Sequence, residues 1–208
     1  MLDLQEQDTR LGQLVHRRSH LPERAQLTDL TARLSRLDDE VVAAETIASD
    51  LQRELDRAER DVATVVERMR RDQELLDSGT IADSRQLQSL QAEVESLVRR
   101  RSDLEDVELE VMERFEGASA AVGVLSQRRA ELSAERSEVV AAIAAQEAEI
   151  DAERAEIEQA RAQIAGELPA DLIGLYDKIR ADHGGVGAAP LYRGACQGCH
   201  LSLPPNEI

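Results

Sequence analysis

The chain has 208 residues, of which 32% are charged and only 1% aromatic, and its formal net charge is −17. So few aromatics exclude a large core of the usual kind, which draws heavily on aromatic area. Forty-two acidic against 25 basic residues make its long surfaces a poor match for nucleic acid or an anionic membrane, since phosphate binding calls for Lys and Arg in excess.

The first ten residues, polar and acidic, lack the basic start and apolar stretch of a secretory signal. No run approaches the roughly 18 apolar residues of a membrane span. The two cysteines sit together near the end and are not spread as a disulfide framework would be. The expectation is a cytoplasmic protein.

The first predicted helix covers 3–19, with Leu4, Leu11, Leu14 and Val15 on one side. It stops at His20-Leu21-Pro22-Glu23. Proline is disfavoured inside a helix but suits a first turn, so Pro22 ends one helix and opens the next. The second helix, about 22–77, carries a 15-position seam from Leu27 to Leu76, all Leu, Val, Ala or Met except Asp72. Fourteen of those 15 positions are apolar, where composition alone predicts about six, so the period is real.

Asp77-Ser78-Gly79-Thr80 breaks the pattern, and Asp83 with Gln86 three residues on has the form of a capping box. A third helix, about 83–165, holds one hydrophobic phase from Leu87 to Ile164, with 17 of 23 seam positions apolar and no internal proline. A strict seven-residue period means a left-handed coiled-coil seam. At ~1.5 Å per residue the run measures roughly 115 Å, too long to bury in a compact domain without partners along its length.

Two seams joined by a short turn predict an antiparallel helical hairpin. Facing positions in such a pair have a constant total of residue numbers, and these series permit 159 or 166. The value 159 sets Phe115 opposite Ala44, Arg101 opposite Ala58 and Arg136 opposite Glu23, large against small and cation against anion, and is preferred on that ground. It leaves 137–164 uncovered, and the first helix has the length to lie there. The polar seam residues Arg101, Glu108, Arg129 and Arg136 read as register control. Ile47, Val66, Leu75, Val107, Leu109 and Met112 stand off the seam, and Val66 with Met112 could mark a dimer or partner surface.

The expected architecture is therefore all-α: a hairpin domain over 1–166 with a short N-terminal helix along its base. The remainder, 167–208, holds a short helix opened by Pro169 and then a glycine-rich stretch with strand-like Leu191 and Tyr192. There follows Cys196-Gln197-Gly198-Cys199-His200. A Cys-x-x-Cys with glycine in its turn can aim two thiolates at one tetrahedral Zn²⁺, making Cys196 and Cys199 the candidate metal ligands. Alone it is half a site, because a zinc ribbon needs a second pair about 15–20 residues later. A thioredoxin-type redox pair, an idle pair and a simple disulfide are the competing readings; no βαβ pattern surrounds the cysteines to favour the first of these. His183 and His200 are further candidate ligands.

Leu21-Pro22-Glu23 after a short helix, the long hairpin, Tyr176 to Arg180, and Cys196-x-x-Cys199-His200 with Leu203-Pro204-Pro205 together resemble the bacterial C4-type zinc-ribbon coiled-coil family. The resemblance spans the chain in architecture, with its specific motifs in about the last 35 residues. It implies a second Cys-x-x-Cys after the Pro-Pro stretch, which this sequence lacks, so a shortened chain or a further tail is expected. It also implies an adaptor role, with links in some members to flagellar or type III secretion control through a sigma factor or messenger RNA. The functional expectation is a non-enzymatic scaffold presenting a zinc-ribbon head to a protein partner. The alternative is a regulator that binds RNA or DNA through that head, although only Arg193 and Tyr192 support it locally. No nucleophile motif, phosphate loop or carboxylate pair argues for catalysis.

Overall fold

The computed structural model describes residues 1–199 together with 201 and 202. His200, and the Leu203-Pro204-Pro205 part of the motif, lie outside the described residues. Among the described residues, four helices and one small ribbon follow in chain order: α1 (Leu2–Ser19), α2 (Glu23–Asp77), α3 (Ser84–Gly166), α4 (Ala170–Asp182), β1 (Leu191–Tyr192) and β2 (Ala195–Cys196). The chain divides into two compact units, one of 1–30 with 135–208 and one of 31–134.

Unit 31–134 is the hairpin of α2 and α3. Leu37, Val41, Leu51, Leu55 and Ala58 of α2 are buried, as are Leu97, Val111 and Leu132 of α3, which is the narrow apolar stripe that the heptad pattern predicts. The turn forms where glycine can take φ 66° at Gly79, a left-handed conformation that a side chain would oppose. Asp83 then caps α3 by accepting a 2.9 Å hydrogen bond from the Arg85 amide.

The register is one heptad away from the one chosen on packing grounds. Arg129 pairs with Asp38, and Arg114 with Glu54 at 3.7 Å. The residue numbers of these pairs total 167 and 168, next to the permitted value of 166 and far from 159. Phe115 therefore comes level with Leu51, not Ala44. A further cross-helix pair, Arg68 with Glu93 near the turn, totals 161 and lies between the two values. A slip of seven residues keeps every apolar position facing the seam, so the seam itself barely distinguishes the two registers. The flanking charges do, since Arg129 meets Asp38 and Arg114 meets Glu54 in the observed one.

Unit 1–30 with 135–208 begins with α1 lying antiparallel along the last part of α3, as expected for the otherwise uncovered seam. Arg18 bonds Asp151 at 2.6 Å, Arg17 approaches Glu153 at 3.7 Å, and Asp8 meets Arg161 at 2.8 Å. Between these pairs Leu4, Leu14, Leu21 and Leu30 are buried with Ile143, Ile150 and Ile157. The break at Leu21-Pro22 is shaped by the amides of Arg24 and Ala25 donating back to the Leu21 and Pro22 carbonyls, so Pro22, with no amide of its own, fits the first turn. Glu23 accepts from the Gln146 amide nitrogen at 2.6 Å, which replaces the expected Arg136 partner and follows from the same register change.

The off-seam Ile47, Val66, Leu75, Val107 and Leu109 are exposed, while Met112 is half-buried. No helix among the described residues is long and apolar enough to cross a membrane.

Candidate metal centre

The cysteine pair sits on a short antiparallel ribbon. Leu191 pairs with Cys196 and Tyr192 with Ala195, leaving Arg193 and Gly194 as a two-residue turn. Both have positive φ, 49° and 76°, which is the mirror-image turn whose twist matches that of paired strands. The chain after the ribbon folds back on it: the Cys196 amide donates to the Leu201 carbonyl at 2.9 Å, and Ala195 bridges Ser202. The Gln197 amide donates to the Pro190 carbonyl at 2.9 Å, closing the base of the knuckle.

Within this turn the Gly198 amide points at the Cys196 sulfur, 3.4 Å away. The Cys199 amide, the Gly198 amide and the Cys199 thiol hold the Cys196 thiol below its ordinary range by stabilising the thiolate. Position 198 has room only for glycine, since a Cβ there would lie 2.8 Å from the Ala189 methyl. Backbone amides around a sulfur, with both thiols free, are donor chemistry suited to a soft cation. They supply two of the four ligands that tetrahedral zinc takes. Among the described residues no third Cys, His, Asp or Glu joins them, so the fit is that of half a site. His183 lines the same cavity of about 400 Å³ as Cys196 and Cys199, but its Nδ1 lies 3.1 Å from the Ile179 carbonyl at the end of α4.

What holds this module in place is a cluster that sequence reasoning missed. Asp8 of α1 is only 3% exposed, and its carboxylate accepts from Arg161 Nε and Nη2 at 2.8 and 3.2 Å and from the Tyr176 hydroxyl at 2.7 Å, with Arg180 at 3.1 Å. Burial pushes the carboxyl up. Hydrogen bonds from Arg161 and Tyr176 and the charges of Arg161 and Arg180 outweigh that, leaving it below its usual value. Burial and the bond to Asp8 push the Tyr176 phenol up.

One turn earlier, Gln5 grips the glycine loop. Its carbonyl oxygen accepts from the Gly187 and Ala188 amides at 2.6 and 3.1 Å, and its amide donates to the Gly185 carbonyl at 2.9 Å. Gly187 itself lies against Tyr176, where a Cβ would come within 2.7 Å of the ring and of the Tyr176 carbonyl. The signal available in the sequence was weak: Asp8 breaks the apolar face of α1 four residues after Leu4, a position usually given to a hydrophobe.

These features define an antiparallel coiled-coil hairpin whose N-terminal helix also anchors a small two-cysteine module. The chain belongs to the CT398-like coiled coil hairpin domain family, whose profile matches residues 4–184. It is 35% identical to Rv2229c of Mycobacterium tuberculosis over 100% of this chain and 84% of that protein. ML1638 of Mycobacterium leprae is 25% identical, over 97% of this chain and 86% of its own length. A solved structure from Mycobacterium smegmatis superimposes with a TM-score of 0.82 at 31% identity, covering 99% of this chain and 84% of that one. The solved structure of CT398 from Chlamydia trachomatis shares the fold, with a TM-score of 0.62 at 16% identity over 99% and 85% of the two chains.

Proposed function

We propose that this protein is a non-enzymatic cytoplasmic scaffold: a coiled-coil hairpin that presents a zinc-binding head to a protein partner. The observation that carries the reading is the Cys196–Cys199 knuckle, with a backbone amide on one sulfur, held by α1 through Gln5 and Asp8. A bound zinc would supply a rigid cross-link at the end of the ribbon, and no chemistry is required of it. Cys196 and Cys199 would hold one side of the ion. The resemblance drawn from the sequence assigns the other side to a second Cys-x-x-Cys pair.

Cobalt(II) titration of the purified protein tests the metal. A thiolate-to-cobalt absorption band is expected, displaced by zinc and lost in Cys196→Ser and in Cys199→Ser. Absence of any such band would end the zinc assignment. Affinity capture then tests the scaffold: a specific protein partner retained by the intact chain and lost on Cys196→Ser supports it, and capture indifferent to both head and hairpin changes opposes it.

A second reading, nucleic-acid binding through the head, has one observation in its favour. Tyr192 is 60% exposed, and the Arg193 guanidinium lies 5.2 Å from its ring centre, a pairing that can stack on a base. Retention of RNA or DNA at low salt, weakened by Tyr192→Ala and by added salt, distinguishes this reading from the first.

A further inference from the structure

Away from the cysteines, a cavity of about 430 Å³ opens between one face of α1 and the end of α4. Its walls include Thr9, Gln13, His16 and Arg17 from α1, Arg180 from α4, and the Gly184–Gly185 backbone. Asp8 is the acid on its wall, and its two oxygens are already taken by Arg161, Arg180 and the Tyr176 hydroxyl. Arg180 reaches Asp8 through Nη2, and its side chain stays 33% exposed. A guanidinium carries five N–H donors, so Arg180 can hold Asp8 and still donate to an acceptor in the cavity.

Arg17 is the second donor. It is about half exposed, and its contact with Glu153 is a long one of 3.7 Å. His16 stands beside it, with its ring stacked on His20 at 3.9 Å. In a chain of net charge −17, this wall brings two guanidiniums, each also paired with a carboxylate, to one concave space. The volume falls in the range of small-molecule sites and exceeds what a bare inorganic ion fills.

We propose that this cavity binds a small molecule bearing an oxyanion, a carboxylate or a phosphate, with Arg180 and Arg17 as its guanidinium donors. Planar guanidinium groups match the paired oxygens of both classes. The site is independent of the metal reading, because neither cysteine lines it.

Calorimetric titration of the intact chain with inorganic phosphate, and separately with citrate, tests the assignment at constant ionic strength set with chloride. Saturable binding of at least one anion is expected, weakened at least about tenfold in Arg17→Gln and in Arg180→Lys. Arg53→Gln, on an exposed face of the other unit, is expected to leave it unchanged. Phosphate alone points to a phosphorylated ligand, citrate alone to a polycarboxylate, and both to a general oxyanion site. The proposal is overturned if neither anion binds saturably, or if binding survives Arg17→Gln and Arg180→Lys undiminished. Arg17 makes no bond to Asp8, so its variant reports on the cavity even if Arg180→Lys loosens the fold.

Discussion

In unit 31–134, α3 is held to α2 by a narrow row of Leu, Val and Ala, with ion pairs such as Arg129–Asp38 at its exposed margins. In the other unit the same helix meets α1 through an isoleucine row, but a carboxylate is carried to 3% exposure among two guanidiniums and a phenol. The first arrangement tolerates a heptad slip in its apolar pattern; the second does not, because Asp8 has partners at one place only. The comparison teaches that the apolar seam brings helices together, whereas the buried polar cluster fixes where α1, α4 and the glycine loop meet. Specificity of this kind is the best-attested use of buried ionic groups.

The comparison breaks most visibly at Asp8. Asp8→Ala would leave Arg161 and Arg180 without their shared carboxylate, at a cost of about 3–5 kcal/mol in denaturant unfolding of this unit. Within the other unit, Val111→Ala removes two buried methyl groups and is expected to cost only about 1–3 kcal/mol. If the two substitutions prove equal, the polar cluster is not what distinguishes the regions.

Acid should act on the same group. The Asp8 carboxyl is held below its ordinary value, so the folded state binds its proton less readily than the unfolded chain does. Its contribution is therefore fully present above the ordinary carboxylate range and is lost as pH falls through the depressed value. Thermal melts from pH 6 downward should show stability falling more steeply in the native chain than in Asp8→Asn, which cannot titrate there. Parallel curves for the two would mean that Asp8 is not coupled to folding.

A smaller effect is expected at Gly187. A methyl group there meets the Tyr176 ring and carbonyl within 2.7 Å, and the backbone carbonyl cannot swing aside as a flexible side chain would. Gly187→Ala should cost about 1–3 kcal/mol and weaken protection of the Gly187 and Ala188 amides in hydrogen exchange, since Gln5 would lose its grip on them. Unchanged exchange at those amides would show that the loop is held by something other than Gln5 and Tyr176.

Much of this molecule can be read from its spacing. The three long elements, the Pro22 break, the turn at Gly79 and the role of α1 along 137–164 all follow from where apolar residues recur and where Pro and Gly interrupt them. The Asp8 cluster resisted the same treatment because it joins residues 5, 8, 161, 176, 180 and 187, whose proximity depends on the tertiary fold. A lone Asp on an amphipathic helix looks like an ordinary surface residue until its partners are known. Cys196 and Cys199 were visible as a pair, but the amides that tune the sulfur belong to backbone conformation. Register failed for a different reason: opposing large with small residues compares modest packing differences, whereas charge pairing along the margins was weighed at only one position, Arg136 with Glu23.

That register also supplies the smallest effect. Arg129 and Asp38 are both about half exposed, so their ion pair is screened by solvent and should contribute only about 0.2–1 kcal/mol. Single substitutions cannot isolate so little, because each also alters helix propensity and local solvation. A double-mutant cycle with Arg129→Ala and Asp38→Ala removes those contributions and leaves the coupling between the two side chains. A favourable coupling that declines with added salt is expected if Arg129 stands level with the Leu37–Asp38 turn. In the alternative register Arg129 would face Leu30, more than a turn away from Asp38, and the cycle should close at zero. A null result at low salt would show that this ion pair does not help hold the observed register, which would then rest on the seam and on Arg114 with Glu54.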